Sequence, residues 1–465
     1  MKYNYLVLAV WLVSCGGDSP MPAVDIEVVA AEVTIGDKDN RSEDTTEGPL
    51  CKVAWNLALA AGGDTSHPAL QKSSIYIASG QGKLFSVNVD GDLRWTWPDD
   101  DAEMMVEPVD AQLYSPAIGL NNILYMGTGD SRLLAVVDAA NSPKGRFVAP
   151  LAGVVSGAPA VATDKKGKSN LVVALTDAGT VHVIKDLGIG NPFEVWSKVG
   201  DEAFPLPLPG AQPIVGPGFG GGRKTIWAYG TTQIKMLNLD DGYELGQFDM
   251  PDDWVITSNL IMNEDGTVTF VAARDPMADY FKEHQLMTVT LEGVQAEGSP
   301  IVVDLGGKLT RIVSLSTGIK SRLLMGTNNE GLVVYSLLSN SVFKTTTGES
   351  SYFENVPAPV EATDGLIYYS AFPHYILVAS EQAELLWEKK LDTVDGSIGS
   401  QLRPSSPLLL DDGKVVYHNG NMLHAVSCTD STPPVVAWPR FGGNNKNTGN
   451  WDDSPVMQQE AEESR

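Results

Sequence analysis

Few residues in this 465-residue chain are spaced for chemistry. The six histidines are scattered, and only His418 and His424 lie close together, on the successive apolar segments "VVYH" and "MLHAVS". A zinc site needs three or four ligands in tetrahedral array. No third ligand accompanies this pair, so packing is the expected role. Asn88, Asp90 and Asp92 in "NVDGDLRW" offer oxygen ligands on alternate residues. They lack the twelve-residue spacing and distal glutamate of a calcium loop and read as a solvated turn. The glycines of "GPGFGGGR" (216–223) do not join a strand to a helix start, which a phosphate cradle requires. There is no G-x-S-x-G elbow and no Cys–His pair in a recognisable context. The cysteines are Cys15, Cys51 and Cys428, none adjacent to another. Neither catalytic residues nor a metal site nor a cofactor is expected.

The elements that carry these residues repeat. A short apolar run recurs as "IYIA" (75–78), "LYMG" (124–127), "LVVA" (171–174), "IWAY" (226–229), "VTFV" (268–271), "LLMG" (323–326), "IYYS" (367–370) and "VVYH" (415–418). The spacing averages about 49 residues, in the range of four-stranded propeller blades. A second alternating strand follows each run, as in "LFSVNVD" and "MLHAVS". A third element precedes it: a small residue, usually a proline, then a short apolar run. The prolines are Pro68, Pro116, Pro159, Pro213, Pro300, Pro359 and Pro407, while the fifth unit has "TSNLIM" instead. Proline is tolerated at the first position of a strand, where its missing N–H breaks no ladder. A fourth strand ends in or near Trp95, Trp196 or Trp387, whose expected role is packing between blades. Eight four-stranded units without helical periodicity predict an all-β, eight-bladed β-propeller over residues 51–451.

Composition narrows the function classes. Lys plus Arg number 32 against 58 Asp plus Glu, a net charge of −26. Such a surface repels nucleic acid and, taken as a whole, anionic lipid. Residues 1–14 hold one lysine and an apolar run of about ten residues, too short to span a bilayer and suited to an export signal. Residues 15–50 form an acidic, turn-rich tether with a random-coil length of roughly 30–35 Å. Residues 452–465 are expected to be a disordered acidic tail. An exported chain can form disulfides. "CKVAWNLAL" (51–59) reads as a fourth strand arriving early in the chain. If it completes the last blade and closes the ring, Cys51 and Cys428 meet on neighbouring strands and bridge.

Three resemblances add to this reading. Residues 75–95 closely match the PQQ-type (quinoprotein-like) repeat, residues 124–138 and 415–427 match it in part, and residues 268–291 poorly. "AWPRFGGNNKNTGNW" (437–451) is similar to a segment that flanks secreted members of that family. The resemblance implies eight blades. The quinone dehydrogenases of the family hold their cofactor over adjacent cysteines beside calcium, and this chain has no such cysteine pair. Leu12-Val13-Ser14-Cys15 resembles a bacterial lipobox, which implies lipidation at Cys15 and, with Gly16 following, the outer membrane. The layout as a whole resembles the propeller lipoproteins of the β-barrel assembly machinery. It implies a monomeric, lipid-anchored, non-catalytic scaffold on the periplasmic or cell-surface side, binding a protein or glycan. A quinone- and calcium-dependent oxidoreductase of alcohols or sugars is the alternative. The longer connections 99–114, 201–213 and 274–285 are the expected contact surface, with Met104, Met105, Phe204, Tyr280 and Phe281 as anchors.

Overall fold

The computed structural model describes residues 51–459, apart from 60–65, 99–110, 140–141, 156, 199–209, 219–223, 275–282, 306–309, 329–330, 346–355, 373–374, 391–404, 420–421, 429–432, 434–438, 441 and 456. Eight antiparallel sheets follow one another around a ring, each ordered from the axis outward. Blade 1 comprises Ala69–Gln71, Ser74–Ala78, Leu84–Asn88 and Leu93–Trp97. The second strands lie where the apolar runs predict them. In blade 2 the second strand, Ile123–Thr128, is buried at every residue. Each blade packs face to face against two neighbours, so both faces of its middle strands are dry and an unbroken apolar run is stable there. The outermost strand has water along one edge, and Lys52–Ala58 alternates between exposed and half-buried residues.

Blade 8 takes strands from both ends of the chain. Leu408–Leu409, Lys414–Asn419 and Met422–Ser427 are joined by Lys52–Ala58, which pairs antiparallel with Met422–Ser427. Cys51 and Cys428 are disulfide-bonded at the end of this pairing. The bond stands where a hairpin turn links the third and outermost strands of the other blades.

Two expectations need correction. Pro300 does not open an innermost strand; it precedes Ile301–Val303, the outermost strand of blade 5. The innermost strand of blade 6 is Ile312–Gly318, which has no proline. Residues 452–459 are not a featureless tail. Trp451–Asp453 form a 3-10 turn, Lys224 Nζ lies 2.7 Å from Asp452 Oδ2, and Ser454 is fully buried. In blade 5 the innermost strand is split into Trp254–Ile256 and Ile261–Met262. Asn259, in the gap, accepts from Leu315 N and donates to Leu315 O, both at 2.9 Å, tying the break to blade 6.

Candidate functional site

Six innermost strands begin directly after a proline, at Pro68, Pro116, Pro159, Pro213, Pro359 and Pro407. At the axis several of these proline carbonyls meet the segment 439–450. Arg440 donates from Nη2 to Pro68 O at 3.0 Å, from Nε to Pro407 O at 3.1 Å and from Nη1 to Asn447 Oδ1 at 3.0 Å. Asn447 Nδ2 reaches Pro68 O and Pro116 O, and Gln212 Nε2 donates to Pro159 O and Asn447 O. The backbone N–H groups of Leu70, Ile118, Val161 and Val215, one from each of blades 1–4, donate to the carbonyls of Asn445, Lys446, Thr448 and Gly449. The segment thus satisfies inner strand edges that would otherwise present bare donors to the axis. Its fold is tight: a Cβ on Gly442, whose φ is +75°, would lie 2.7 Å from Asn447 Cα.

The electrostatics of the axis follow from this packing. Arg440 is fully buried, and burial brings its guanidinium down to about 9, so it stays charged at neutral pH. The three oxygens it donates to are all neutral. His67, largely buried, is brought down to about 3 by burial, helped by Arg440 and His418, and is therefore neutral. Its Nδ1 accepts from Ser406 N at 2.9 Å. Calcium takes six to eight oxygens, several of them anionic. Here the proline carbonyls already accept from Arg440, Asn447 and Gln212, and a second cation would be repelled by Arg440. Among the described residues, no three His, Cys, Asp or Glu side chains gather to hold a metal. The described axis does not fit a calcium–quinone pair.

Carboxylates with shifted acidity occur elsewhere, at the seams. Asp138 of blade 2 accepts from Tyr76 Oη at 2.6 Å, Arg94 Nη1 at 2.8 Å and Trp95 Nε1 at 3.0 Å, all in blade 1. Burial works to raise its carboxyl, but the bonds from Arg94 and Tyr76 outweigh it and hold it low. Asp186 of blade 3 repeats the device with Tyr125 and Arg146 of blade 2. Arg322 of blade 6 likewise joins Glu361 and Glu381 of blade 7. A perturbed carboxylate can mark an active site. These are wholly engaged in clamping one blade to the next.

The residues singled out in the sequence are not brought together. His418 Nδ1 lies 3.1 Å from Ser66 O, and His424 Nδ1 lies 2.8 Å from Asn56 Oδ1, so the two rings serve different neighbours. Asn88 Oδ1 accepts from Asp90 N and Asp92 N, which makes the segment a self-bonded turn. Trp95 bonds across a seam as expected, and Trp196 Nε1 donates to Leu239 O of blade 4 at 3.0 Å. Cys15, Met104, Met105, Phe204, Tyr280 and Phe281 lie outside the described residues. The strands flanking their loops are described. Connections after Trp97 and Lys198 run from an outermost strand to the next innermost one, and that after Arg274 runs from a second strand to a third. Antiparallel alternation puts the strand ends that flank all three at one face, opposite the turns between first and second and between third and outermost strands. Lys446, Asp453 and Gln458 share a cleft with Gln71, Lys72 and Asp411, in or beside turns between first and second strands, so the C-terminal segment reaches the turn face. Arg440 and Asn447 sit deeper, on the carbonyls of the prolines that open the innermost strands. Arg440, Asn447, Gln212 and His67 were not foreseen; the flanking-segment resemblance was the one available signal.

No protein-family model matches the chain, and no curated protein matches it in sequence. Solved structures do. BamB from Moraxella catarrhalis superposes with a TM-score of 0.56 at 14% identity, covering 82% of this chain and 98% of that one. The Dos1 propeller gives a TM-score of 0.56 at 11% identity, covering 82% of this chain and 97% of that one. At these identities the likeness is one of fold, and the fold is that of an eight-bladed β-propeller with the architecture the repeat implied.

Proposed function

We propose that this protein is a non-catalytic, lipid-anchored propeller scaffold that binds a protein or glycan partner at a bacterial envelope through its loop face. One observation carries the reading. The chain fills its own axis with Arg440, Asn447 and the 445–449 backbone, and the strands that flank the longer connections end at the face opposite the turns between first and second strands. A rigid ring that presents loops on one side suits macromolecular contact. The lipobox-like Cys15 and the acidic tether supply attachment and reach. Crosslinking and co-purification from membranes test this, with Phe204→Ala, Tyr280→Ala and Phe281→Ala combined in one variant. The combined variant is expected to lose partners that the parent retains. Cys15→Ala is expected to move the protein to the soluble fraction in high-salt buffer with its loops still competent. An unchanged partner set removes these loops from the proposal. Binding of pyrroloquinoline quinone with dye-linked turnover of alcohols or sugars overturns it in favour of an oxidoreductase.

A further inference from the structure

Blade 3 departs from the acidic character of the molecule. Its innermost and second strands, Ala160–Thr163 and Asn170–Leu175, are joined by a turn that exposes Lys165, Lys166 and Lys168. Its third and outermost strands, Val181–Asp186 and Phe193–Lys198, are joined by a turn that raises Leu187 and Ile189, which are 46% and 77% exposed. Phe193, half exposed, follows directly. Both turns leave the same end of the sheet. Lys185 links them, with Nζ 3.1 Å from Asp164 and its backbone in register with Phe193. The nearby acids include Asp164, paired with Lys185, and Asp240, paired with Lys165 at 2.8 Å. Among the described residues no ion pair engages Lys166 or Lys168.

The apolar tip is built rather than slack. Gly188 and Gly190 turn it at φ +76° and +66°. Gly188 N donates to the buried Asp186 Oδ1 at 2.9 Å, and Arg146 of blade 2 reaches Gly190 O at 3.2 Å. Two aliphatic side chains are therefore held outward on a braced turn, flanked by three lysines, on a chain whose net charge is −26.

We propose that this end of blade 3 docks on an anionic lipid bilayer, with Leu187 and Ile189 entering the headgroup layer and Lys165, Lys166 and Lys168 over the phosphates. The tip is convex, which suits a fluid surface; peptide recognition uses a groove or pockets. The lysines supply the matching charge. The outermost strand of blade 8 begins at this same face, at Cys51, beside the end of its third strand. The proposal goes beyond the loop-face reading and does not depend on it, since it uses none of the residues nominated there.

Full-length protein carrying Cys15→Ala, and hence no acyl chain, is sedimented with vesicles of phosphatidylglycerol and phosphatidylcholine in equal parts, or of phosphatidylcholine alone. The N-terminal apolar run is common to all variants, so the comparison between variants is what is read. Each lysine is expected to contribute about fivefold at low salt, so combining Lys165→Gln, Lys166→Gln and Lys168→Gln weakens binding to the anionic vesicles on the order of a hundredfold. That difference should vanish at high salt. Leu187→Ser with Ile189→Ser should weaken binding to both compositions. In an Ile189→Trp variant, lipid brominated near the glycerol should quench the added indole. Equal binding by the parent and the lysine variant, or no added quenching, overturns the proposal. Capture of a polyglutamate peptide by the parent, without vesicle binding, assigns the patch to an acidic protein and also overturns it. Retained vesicle binding by the Phe204, Tyr280 and Phe281 variant keeps the two readings separable.

Discussion

Arg440 keeps its charge in dry surroundings with an amide oxygen and proline carbonyls around it, and His67 beside it stays neutral for the same reason. A histidine whose pKa falls from 6.5 to about 3 on folding takes up protons more readily when unfolded. Its contribution to stability is complete above 6.5 and is lost as pH falls toward the folded value, at roughly 1.4 kcal/mol per pH unit. His284, brought down to about 4 chiefly by burial, acts in the same direction. Thermal melts should therefore show stability declining from pH 6.5 downward. His67→Asn places an oxygen near the acceptor position that Nδ1 offers Ser406 N and cannot titrate, so its decline should be shallower, with the His284 share remaining. Parallel curves for the two proteins would remove His67 from the account. None of this was legible beforehand. "SHPAL" reads as a strand start, but Ser406 and Arg440 reach His67 and Pro68 across sequence separations of 339 and 372, and no local pattern announces such contacts.

At the scale of the blade, one joint recurs. Trp55 of blade 8 donates to Val89 O of blade 1, and Trp196 of blade 3 donates to Leu239 O of blade 4. Each indole lies over a turn glycine, Gly91 or Gly242, at φ +95° and +71°. An alanine Cβ at Gly242 would sit 2.8 Å from the Trp196 ring, whereas one at Gly167, φ +64°, would meet nothing within 4 Å. Left-handed backbone costs an alanine about 1–2 kcal/mol at either position. Overpacking adds about 1–3 kcal/mol only at Gly242. Denaturant unfolding of Gly242→Ala and Gly167→Ala should separate the two contributions; equal losses would show that the indole yields without cost. The tryptophans and the second and third strands were readable because burial on both faces demands unbroken apolar runs. Pro300 misled because proline is tolerated on any edge strand. The innermost and outermost strands of a four-stranded blade are both edges, so the residue type alone does not say which one it opens.

For the whole molecule, eight repeats at nearly constant spacing were sufficient to give the ring. The loops nominated for binding are long and irregular, and their nominated anchors lie outside the described residues, so that part of the candidate site still rests on the sequence. The disulfide bears on stability at this scale. Cys51 and Cys428 are 377 residues apart, and chain-entropy arithmetic for so long a loop gives an upper figure of about 5–6 kcal/mol. Reduced protein, or Cys428→Ser, should unfold at distinctly lower denaturant than the oxidised parent. Thiol titration of unfolded, unreduced protein should find neither Cys51 nor Cys428 reactive; two reactive thiols there would contradict the bond.

Because that bond stands in place of the eighth hairpin turn, the covalent path through residues 51–428 has no beginning and no end. A protease that cuts once within it, at the blade 1 turn or the blade 7 turn, releases nothing: both new ends remain on one molecule, and the ring persists as a different linear order of the same strands. Two cuts are needed to free a fragment, or one cut and a reductant. Damage at a single site therefore stays silent for as long as the surroundings remain oxidising.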